Sequence, residues 1–338
     1  MKVATKVMSV MLLFLVSGCA SVAESDDEPK LMRIGNATPD DRSLSQAMFA
    51  FADQVEEETN GSIKVDVFTN SQLGGDRELL EGMQLNTVQG ATISTGPIAQ
   101  FSESFHVFDL PFLFAEEESA YRVLDSEIGE NVLAELEQEN IIGLNFWENG
   151  FRMLSNNVRE VETLEDIRGL DIRTLENRIH MQIWTELGAN PVPINYGELY
   201  IAMEQGTVNG QENPVGNVVN SHFYEVQNFL TETNHIYNAS PFMVSKPFWD
   251  SLTGEERNII ANASEEIMHE QREANRQEAA DGIAFVKDQG MTVTELSDDE
   301  FERLRDAVDP VYERFRETYG GEVLDAIMDA AEQLEEGA

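Results

Sequence analysis

Two arginines carry the most distinctive chemistry in this sequence. Arg152 lies in the stretch WENGFRMLSNN and Arg173 in LDIRT, and both are at or near the end of an apolar, strand-like run. A guanidinium offers a planar pair of donors to a carboxylate, stays charged at physiological pH and costs less to dehydrate than an ammonium. In a chain of net charge -41 with only 22 basic residues, either arginine could instead pair with a surface acid. The alternatives are an anion-binding site and ordinary ion pairs.

Motifs of catalysis and of metal binding are missing from the sequence. It has no Gly-x-Ser-x-Gly elbow, no His-Glu-x-x-His helix, no Gly-x-x-x-x-Gly-Lys-Ser/Thr loop and no paired cysteines. We therefore predict a binding protein that is not an enzyme and that uses neither a metal nor a cofactor. His235 in TETNHIY could contact a ligand, although a histidine beside apolar residues is more often a structural group.

The charge balance excludes whole classes of partner. The chain has 63 acidic residues against six lysines, so nucleic acid and anionic lipid would be repelled by its surface. This excess is typical of an exported protein of a halophile, where it serves solubility.

The amino terminus has the pattern of an export signal. Lys2 and Lys6 precede an apolar run over 7–16 that is too short for a membrane span. It ends in Val-Ser-Gly-Cys, which resembles a bacterial lipobox, so we predict that 1–19 is a signal peptide and that Cys19, the only cysteine, carries lipid. An ordinary signal cleavage site is the alternative. The polar stretch 20–30 is then a tether, and the lipid is the only membrane contact.

Strands and helices alternate along the rest of the chain. Apolar residues at Leu44, Ala47, Met48, Phe51 and Val55 have the spacing of a one-faced helix that stops before Gly61. Strands are predicted over 31–36, 63–67, 91–94, 141–147, 153–156 and 170–173, a second helix over 178–187 and long helices after 253. This order predicts two α/β units with parallel sheets.

Several longer motifs resemble one protein family. FDLPFLF, ENGFR, EDIRGLDIRT, LGANPVPINYGELYIAMEQGTVNGQENP and FYEVQNFLTETNHIYN occur in this order, and together they are similar to the DctP-type solute-binding proteins of TRAP transporters. The resemblance extends from about residue 31 to the last helices.

The resemblance implies an α/β fold of the periplasmic-binding-protein type (type II-like). Two domains close over a ligand about a hinged cleft, and a long helix spans both. By this likeness the first domain comprises 31–150 and 239–278, and the second comprises 151–238 and 279–338.

The family's site residues fall on particular positions of this chain. The arginine that grips the substrate carboxylate falls on Arg173, the second basic contact on Arg152, and an amide contact on Asn213, although Asn209 stands where the family usually has aspartate. Pro214 supports the amide assignment because it restricts Asn213 to an extended backbone.

Weaker assignments follow from the same resemblance. Asp76 would accept a hydroxyl or ammonium of the ligand, and its alternative is a helix N-terminal acid. Trp147 would wall the cleft, and its alternative is a core position. The remaining candidates are Asn36, Tyr196, Ser94 and Thr95.

The implied function is capture of a small organic acid by domain closure. The resemblance favours a C4-dicarboxylate or a sugar acid, delivered to the small and large membrane subunits of a TRAP transporter by a periplasmic or cell-surface protein. Two alternatives stay open: a sensor subunit that passes the closed state to a receptor, and an exported enzyme acting on organic acids.

Overall fold

The computed structural model describes residues 28–335, with side chains as far as residue 330. The predicted signal peptide, Cys19 and most of the predicted tether lie outside the described residues. The strands are β1 (Lys30–Gly35), β2 (Ile63–Phe68), β3 (Gly90–Thr92), β4 (Ile141–Phe151), β5 (Met153–Asn156), β6 (Asp171–Thr174), β7 (Asn190–Pro193), β8 (Gly210–Asn213), β9 (Phe229–Thr231), β10 (Tyr237–Ser245) and β11 (Thr292–Thr294).

Helices connect these strands. They are α1 (Ser43–Glu58), α2 (Asp76–Gln84), α3 (Thr95–Ile98), α4 (Glu117–Leu124), α5 (Glu127–Glu135), α6 (Leu164–Ile167), α7 (Arg178–Glu186), α8 (Leu199–Glu204), α9 (Val215–Asn220), α10 (Lys246–Ser251), α11 (Gly254–Asp288), α12 (Asp298–Ala307), α13 (Asp309–Tyr319) and α14 (Glu322–Glu335). Short 3-10 helices lie at Glu103–Asp109, Leu136–Glu139, Tyr196–Glu198 and Phe223–Glu225. In the part of the chain described, no helix combines the length and apolar character that a membrane crossing requires.

The strands form two sheets, each the centre of one lobe. The first lobe has the order β2-β1-β3-β10-β4 and the second β11-β9-β5-β8-β6-β7. Both sheets are mixed: β1 runs parallel to β2 and β3, whereas β10 is antiparallel to β3 and β4. The predicted parallel pairing is confirmed for β1, β2 and β3, but it does not extend to the whole of either sheet. The reason is that β10 returns from the second lobe and enters the first sheet against the direction of its neighbours.

The predicted face of α1 is confirmed. Leu44, Met48, Phe51 and Val55 are buried and pack on the first sheet. The Phe51 ring lies 4.6 Å from that of Phe242 on β10. Burying side chains of this size contributes about 1.5 to 3 kcal/mol each, so this apolar face fixes the helix on the sheet.

The chain passes between the lobes at adjacent points. Arg152 alone separates β4 from β5, and the segment 232–236 joins β9 to β10. The Arg152 backbone N–H donates to the Ile236 carbonyl at 2.9 Å, which holds the two crossings side by side. Gly150, two residues before the first crossing, has a φ of +109°, a conformation that favours glycine.

A long helix joins both lobes, as predicted. α11 begins at a capping box in which Thr253 Oγ1 accepts from the Glu256 N–H. It packs on α1 and β4 of the first lobe and on α9 and β11 of the second. The fold is thus the predicted two-sheet architecture of the periplasmic-binding-protein type.

The last helix lies differently from the prediction. α13 packs against α7 of the second lobe, but α14 packs against α4 and α5 of the first. The predicted boundaries assigned all of 279–338 to the second domain. The buried Leu324 and Ile327 share a core cluster with Val123 and Val132. This burial places α14 against the first lobe.

Candidate ligand-binding site

Arg173 lies in the interior of the second sheet, where its strand has neighbours on both sides. β6 pairs in parallel with β7 and β8. Because successive side chains of a strand point to opposite faces, Ile172 enters the apolar core while Arg173 faces the other way, towards Tyr196. The end of a parallel strand thus places one cation at the boundary between the lobes, where α/β proteins commonly bind ligands.

The guanidinium of Arg173 forms no ion pair with a carboxylate among residues 28–335. Its Nε donates to the Ile194 carbonyl at 2.8 Å, and the buried Nη1 has no hydrogen bond within residues 28–335. Arg42, Arg152 and Arg272 are the other buried arginines of this region. Each of the three pairs with a carboxylate, on Glu278, Glu212 and Asp125 respectively. Burial lowers the pKa of Arg173 to about 10, which leaves it charged at neutral pH.

Two small cavities meet beside Arg173. Each has a volume of about 20 Å³, and Asp76, Leu175 and Tyr196 line both. Arg173 lines the second cavity, and the first is lined mainly by neutral polar side chains. These include Asn36, Ser94, Asn149, Asn213, Asn217 and Ser240. A cavity of this volume has room for about one water molecule, so a larger ligand requires the lobes to move apart.

The amides and hydroxyls of the first cavity are held in place by neighbouring groups. Asn36 Nδ2 donates to Ser45 Oγ at 3.0 Å, and Ser94 Oγ donates to Asn238 Oδ1 at 3.0 Å. Asn213 is fixed on both sides, since its Nδ2 donates to Gln211 Oε1 at 2.6 Å and its Oδ1 accepts from Asn217 Nδ2 at 2.9 Å. Such a lining presents orientated dipoles to a ligand.

Asp76 is the carboxylate shared by both cavities. It is the first residue of α2, and its side chain forms no hydrogen bond or ion pair with any residue in 28–335. Burial raises the pKa of Asp76 to about 6, although Arg173 opposes the change. Tyr196 lines both cavities with Asp76: its Oη shares a hydrogen bond of 2.6 Å with Ser221 Oγ, and its ring centre lies 5.9 Å from the Arg173 guanidinium carbon.

Arg152 belongs to a different environment, which we call the Arg152 cluster: Arg152, Glu212, His235, His180 and Asp109. Arg152 Nε and Nη2 both bond to the Glu212 carboxylate, and Nη1 donates to Asn238 Oδ1 at 3.1 Å. His235 Nε2 lies 3.3 Å from Glu212, and His180 lies between Glu212 and Asp109. Burial opposes ionisation of Glu212, but Arg152 and the two histidines hold the pKa of its carboxyl well below the usual range.

The structure brings some predicted site residues together and leaves others apart. Arg173, Asn213, Asn36, Asp76, Tyr196 and Ser94 line the two cavities. Arg152 and His235 lie in the Arg152 cluster, and Arg152 reaches Asn213 Oδ1 at 3.3 Å. Thr95 is buried and donates to Asp109 at 2.8 Å. Trp147 stacks on Phe242 in the core of the first lobe, which is the alternative position left open by the sequence.

Several lining residues were not predicted. Asn149, Asn217, Ser240 and Leu175 line the first cavity. Asn149 belongs to the quoted motif ENGFR, and Asn217 follows Asn213 by four residues at the start of α9, so proximity to known motifs could have indicated both. Ser240 lies on β10, 67 residues after Arg173, and no local pattern connects the two.

A larger groove lies between the lobes; it shares Glu176 with the second cavity, but Arg173 does not line it. It has a volume of about 980 Å³ and is lined by residues such as Gln100, Glu103, Arg178 and Arg314. Arg314 already pairs with Glu186, and both side chains are partly exposed. No cluster of three or more histidine, cysteine or acidic side chains suited to a metal occurs among residues 28–335.

Comparison with known proteins shows which family this chain belongs to. Residues 34–318 match the family model of DctP, described as bacterial extracellular solute-binding protein, family 7. The chain is 32% identical over 304 residues to the C4-dicarboxylate-binding periplasmic protein DctP of Rhodobacter capsulatus, with 89% of this chain and 90% of the relative covered.

Solved structures are similar over nearly their whole length. The sugar acid binding protein of Advenella mimigardefordensis in complex with galactonate is 37% identical, with 91% of this chain and 99% of that chain covered and a TM-score of 0.89. A TRAP periplasmic solute-binding protein of a Polaromonas species bound to D-erythronate is 36% identical, with 88% and 98% covered and a TM-score of 0.86.

Proposed function

Because the chain belongs to the DctP family of bacterial extracellular solute-binding proteins, we propose that it captures a small organic acid between its lobes and delivers it to a TRAP transporter. The receiving partners are the small and large membrane subunits of that transporter. The protein binds its ligand and releases it unchanged, without cofactor or metal.

The observation that carries this proposal is the buried guanidinium of Arg173. A buried charge without a partner is destabilising by several kcal/mol. The depressed pKa of Arg173 corresponds to a penalty of about 3 kcal/mol at neutral pH. In a chain so rich in acids, a buried guanidinium without a carboxylate partner among the described residues is explained by an anionic ligand that relieves the penalty on binding.

The relatives' ligands have one group in common. Galactonate and D-erythronate are bound in the two solved structures, and the Rhodobacter relative is named for C4-dicarboxylates. All are carboxylates, which supports assigning the ligand carboxylate to Arg173. We propose that Asn36, Asn213, Ser94, Tyr196 and Asp76 contact the rest of the ligand.

Arg152 has a different role in this proposal. Its donors are already directed to Glu212, Asn238 and Asn213, so we propose that it positions the Asn213 amide. His235 and Thr95 stabilise the Arg152 cluster through their hydrogen bonds with Glu212 and Asp109. Trp147 packs in the core of the first lobe. A direct contact of Arg152 with the ligand stays a prediction.

Capture proceeds by closure of the lobes. The lobes touch where Gly75 meets the Asn195 side chain, so closely that a Cβ at Gly75 would overlap it. Asn177 of the second lobe donates to the Gly96 carbonyl of the first at 2.9 Å. These contacts join the lobes beside the cavities, and we propose that ligand enters when they part and that the closed form docks on the membrane subunits.

Export completes the proposal. The predicted signal peptide would carry the protein to the periplasm or cell surface, where lipid on Cys19 would anchor it. The acid-rich composition would then keep it soluble in high salt.

Isothermal titration of purified protein with a panel of organic acids tests this function. Wild type is expected to bind at least one acid with micromolar affinity or better, about -8 kcal/mol. Arg173→Met removes the cation with little change in volume and should cost about 2 to 5 kcal/mol of binding. Arg303→Met, which removes an exposed cation paired with Glu165, serves as control and should bind normally.

The folding of the variant is checked by its melting temperature. A folded Arg173→Met protein that still binds the acid with wild-type affinity would contradict the proposal. So would a panel in which the wild type binds no acid at all.

A further inference from the structure

Asn149 lines the first cavity, and its amide is held from outside that cavity. It lies near the end of β4, and its Oδ1 accepts from Arg42 Nη2 at 2.8 Å. The same nitrogen donates to the Asn149 backbone carbonyl at 3.1 Å. Because a guanidinium only donates, it fixes which end of the amide faces it. The amide oxygen of Asn149 is turned towards Arg42, and the amide nitrogen is turned away.

The nitrogen of the Asn149 amide is directed to the first-lobe wall of the cavity. Nδ2 donates to Asn238 Oδ1 at 2.9 Å and has a long contact of 3.5 Å with Ser94 Oγ. The Ser94 hydroxyl gives its own hydrogen to Asn238 Oδ1 at 3.0 Å. An amide nitrogen carries two hydrogens, so one N–H of Asn149 stays available to a ligand oxygen, beside a serine oxygen that only accepts.

Arg42 is held in place by three helices. It immediately precedes α1, its side chain is 1% exposed, and it lines neither of the two small cavities. Nη1 pairs with Glu278 on α11, and Nη2 also reaches Asn275 Oδ1 at 3.3 Å. On α9 of the second lobe, a Cβ added at Gly216 would lie 2.0 Å from Nη1. These neighbours keep the guanidinium directed at Asn149.

We infer that Arg42 is a positioning residue for ligand binding and that Asn149 is the ligand contact it positions. Nη2 of Arg42 holds the Asn149 amide so that an N–H, and not the carbonyl oxygen, faces a carboxylate or hydroxyl oxygen of the bound acid. The inference rests on the proposed function and adds to it one contact at the cavity and one residue outside it.

The direction of this amide matters because its two ends are similar in size and opposite in hydrogen bonding. Without Arg42, the Asn149 amide has no fixed donor opposite its oxygen and is free to turn over. Its oxygen would then face the oxygens of Ser94, Asn238 and the ligand, with no hydrogen between them. Buried polar groups left unpaired lower affinity sharply, so loss of Arg42 is expected to weaken binding although Arg42 lies outside the cavity.

An exchange of Arg42 for lysine tests the two-pronged donor and spares the charge. Arg42→Lys keeps a cation beside Glu278, but an ammonium does not reproduce the planar fork of the guanidinium. Wild type and variant are titrated by calorimetry with one panel of organic acids, which includes galactonate, D-erythronate and succinate. Arg42→Lys should bind the tightest acid of the panel at least about tenfold more weakly than wild type does.

Arg272→Lys is the matched control. Arg272 is also buried, pairs with Asp125 and donates from Nη2 to the Phe146 carbonyl of β4 at 2.7 Å. It lines neither small cavity. The chemical change is the same, but no cavity amide depends on Arg272, so the affinity for the acid should stay within about twofold of wild type.

A double-mutant cycle shows whether Arg42 acts through Asn149. Asn149→Ala removes the amide and should by itself weaken binding about tenfold. If the two residues act as one unit, Arg42→Lys should weaken binding by less than about twofold more in the Asn149→Ala protein. Independent structural effects would instead multiply to a combined loss of about 100-fold, and that result would overturn the inference.

A second variant leaves Arg42 unchanged. Asn149→Asp keeps an oxygen for Arg42 but replaces the N–H at the cavity with an acceptor, so it should weaken the same acid at least about tenfold. This variant decides the question if Arg42→Lys does not fold.

Failure of this inference and failure of the proposed function give different results. A folded Arg42→Lys or Asn149→Asp protein with wild-type affinity overturns the inference, whereas Arg173-dependent binding would leave the proposed function intact. If wild type binds no acid of the panel, the proposed function fails and the inference fails with it.

Discussion

The Arg152 cluster and the cavity at Arg173 each contain a buried arginine, but the two arginines differ in their hydrogen-bond and ion-pair partners. Both arginines are fully buried: Arg173 lies on β6 of the second sheet, and Arg152 lies at the crossing between β4 and β5. Arg152 gives its donors to Glu212, Asn213 and Asn238, whereas Arg173 has one bond, to a backbone carbonyl, and a buried Nη1 without a partner in the described chain. One guanidinium is satisfied by the protein and the other is not.

The difference shows how one small region can serve stability and binding at once. The Arg152 cluster lies where the chain crosses between the lobes, and its ion pairs join residues of both lobes, as in the contact of His180 Nε2 with Asp109 Oδ1 at 3.3 Å. These contacts neutralise the buried charge of Arg152. The Arg173 guanidinium has a buried Nη1 without a hydrogen bond in the described chain, and we propose that a ligand carboxylate supplies its partner.

The largest expected effect separates the two arginines by stability. Arg152→Met leaves the Glu212 carboxylate buried without its main counter-charge and should lower the free energy of unfolding by about 3 to 5 kcal/mol. Arg173→Met removes an uncompensated charge and should leave that free energy unchanged or raise it. Urea denaturation of the unliganded proteins measures both.

Arg303→Met is the control for these two variants, since its exposed ion pairs should contribute nothing measurable. If Arg152→Met were as stable as wild type, or if Arg173→Met were as unstable as we expect Arg152→Met to be, the contrast between the two sites would be lost.

A smaller, pH-dependent effect on the free energy of unfolding is expected for substitution of His180. Burial by itself lowers the pKa of His180, but Asp109 and Glu212 raise it above the usual value. The folded protein therefore keeps a proton that the unfolded chain loses, and the resulting stability is present below about pH 6.5 and is lost as pH rises through the folded pKa. His180→Gln should lower the free energy of unfolding by about 1.5 to 3 kcal/mol at about pH 6.

At about pH 9 that difference should be smaller than at about pH 6, because wild type loses the same charge as pH rises through the folded pKa of His180. Denaturation at both pH values gives the two differences. The exposed His222→Gln should show neither of them, and equal losses at both pH values for His180→Gln would mean that the contact does not depend on charge.

The smallest effect is expected at Asp76. Its pKa is raised from 3.8 to about 6, so between these values the folded protein binds a proton that the unfolded chain does not. Stability attributable to Asp76 is therefore present at low pH and falls as pH rises through this window. Asp76→Asn should stabilise the unliganded protein by up to about 2 kcal/mol at neutral pH, with no gain at about pH 4.

Thermal melts of wild type and Asp76→Asn across this pH range provide the measurement. Glu78, Glu176, Arg173 and Arg152 also influence Asp76, and they are unchanged in the variant. A gain that persists at low pH would show that the residue acts through packing and not through its charge.

Local patterns were sufficient for the elements and for part of the site. The spacing of Leu44, Met48, Phe51 and Val55 predicted α1, because an apolar stripe with a helical period must be buried somewhere. The motif LDIRT placed Arg173 at the end of a strand, and the family resemblance named Asn36, Asp76 and Asn213, which all line one cavity.

Partners distant in the chain could not be predicted in the same way. Glu212 follows Arg152 by 60 residues, and Asp109 precedes His180 by 71. A sequence pattern reports which groups are charged, but pairing depends on which groups the fold brings within a few ångströms. The same limit explains α14, whose apolar face fits either lobe until packing selects one.

The sequence by itself determined the alternation of strands and helices, the acid-rich surface and the presence of an arginine at the end of β6, because these follow from local periodicity and composition. Only the tertiary structure decided that Arg152 pairs with a carboxylate while Arg173 does not in the described chain. It also decided that Trp147 lies in the core and that Asp76 and Arg173 line the same cavity. The physical reason is that burial and electrostatic pairing depend on distances through space, and a folded chain sets those distances by packing residues far apart in sequence.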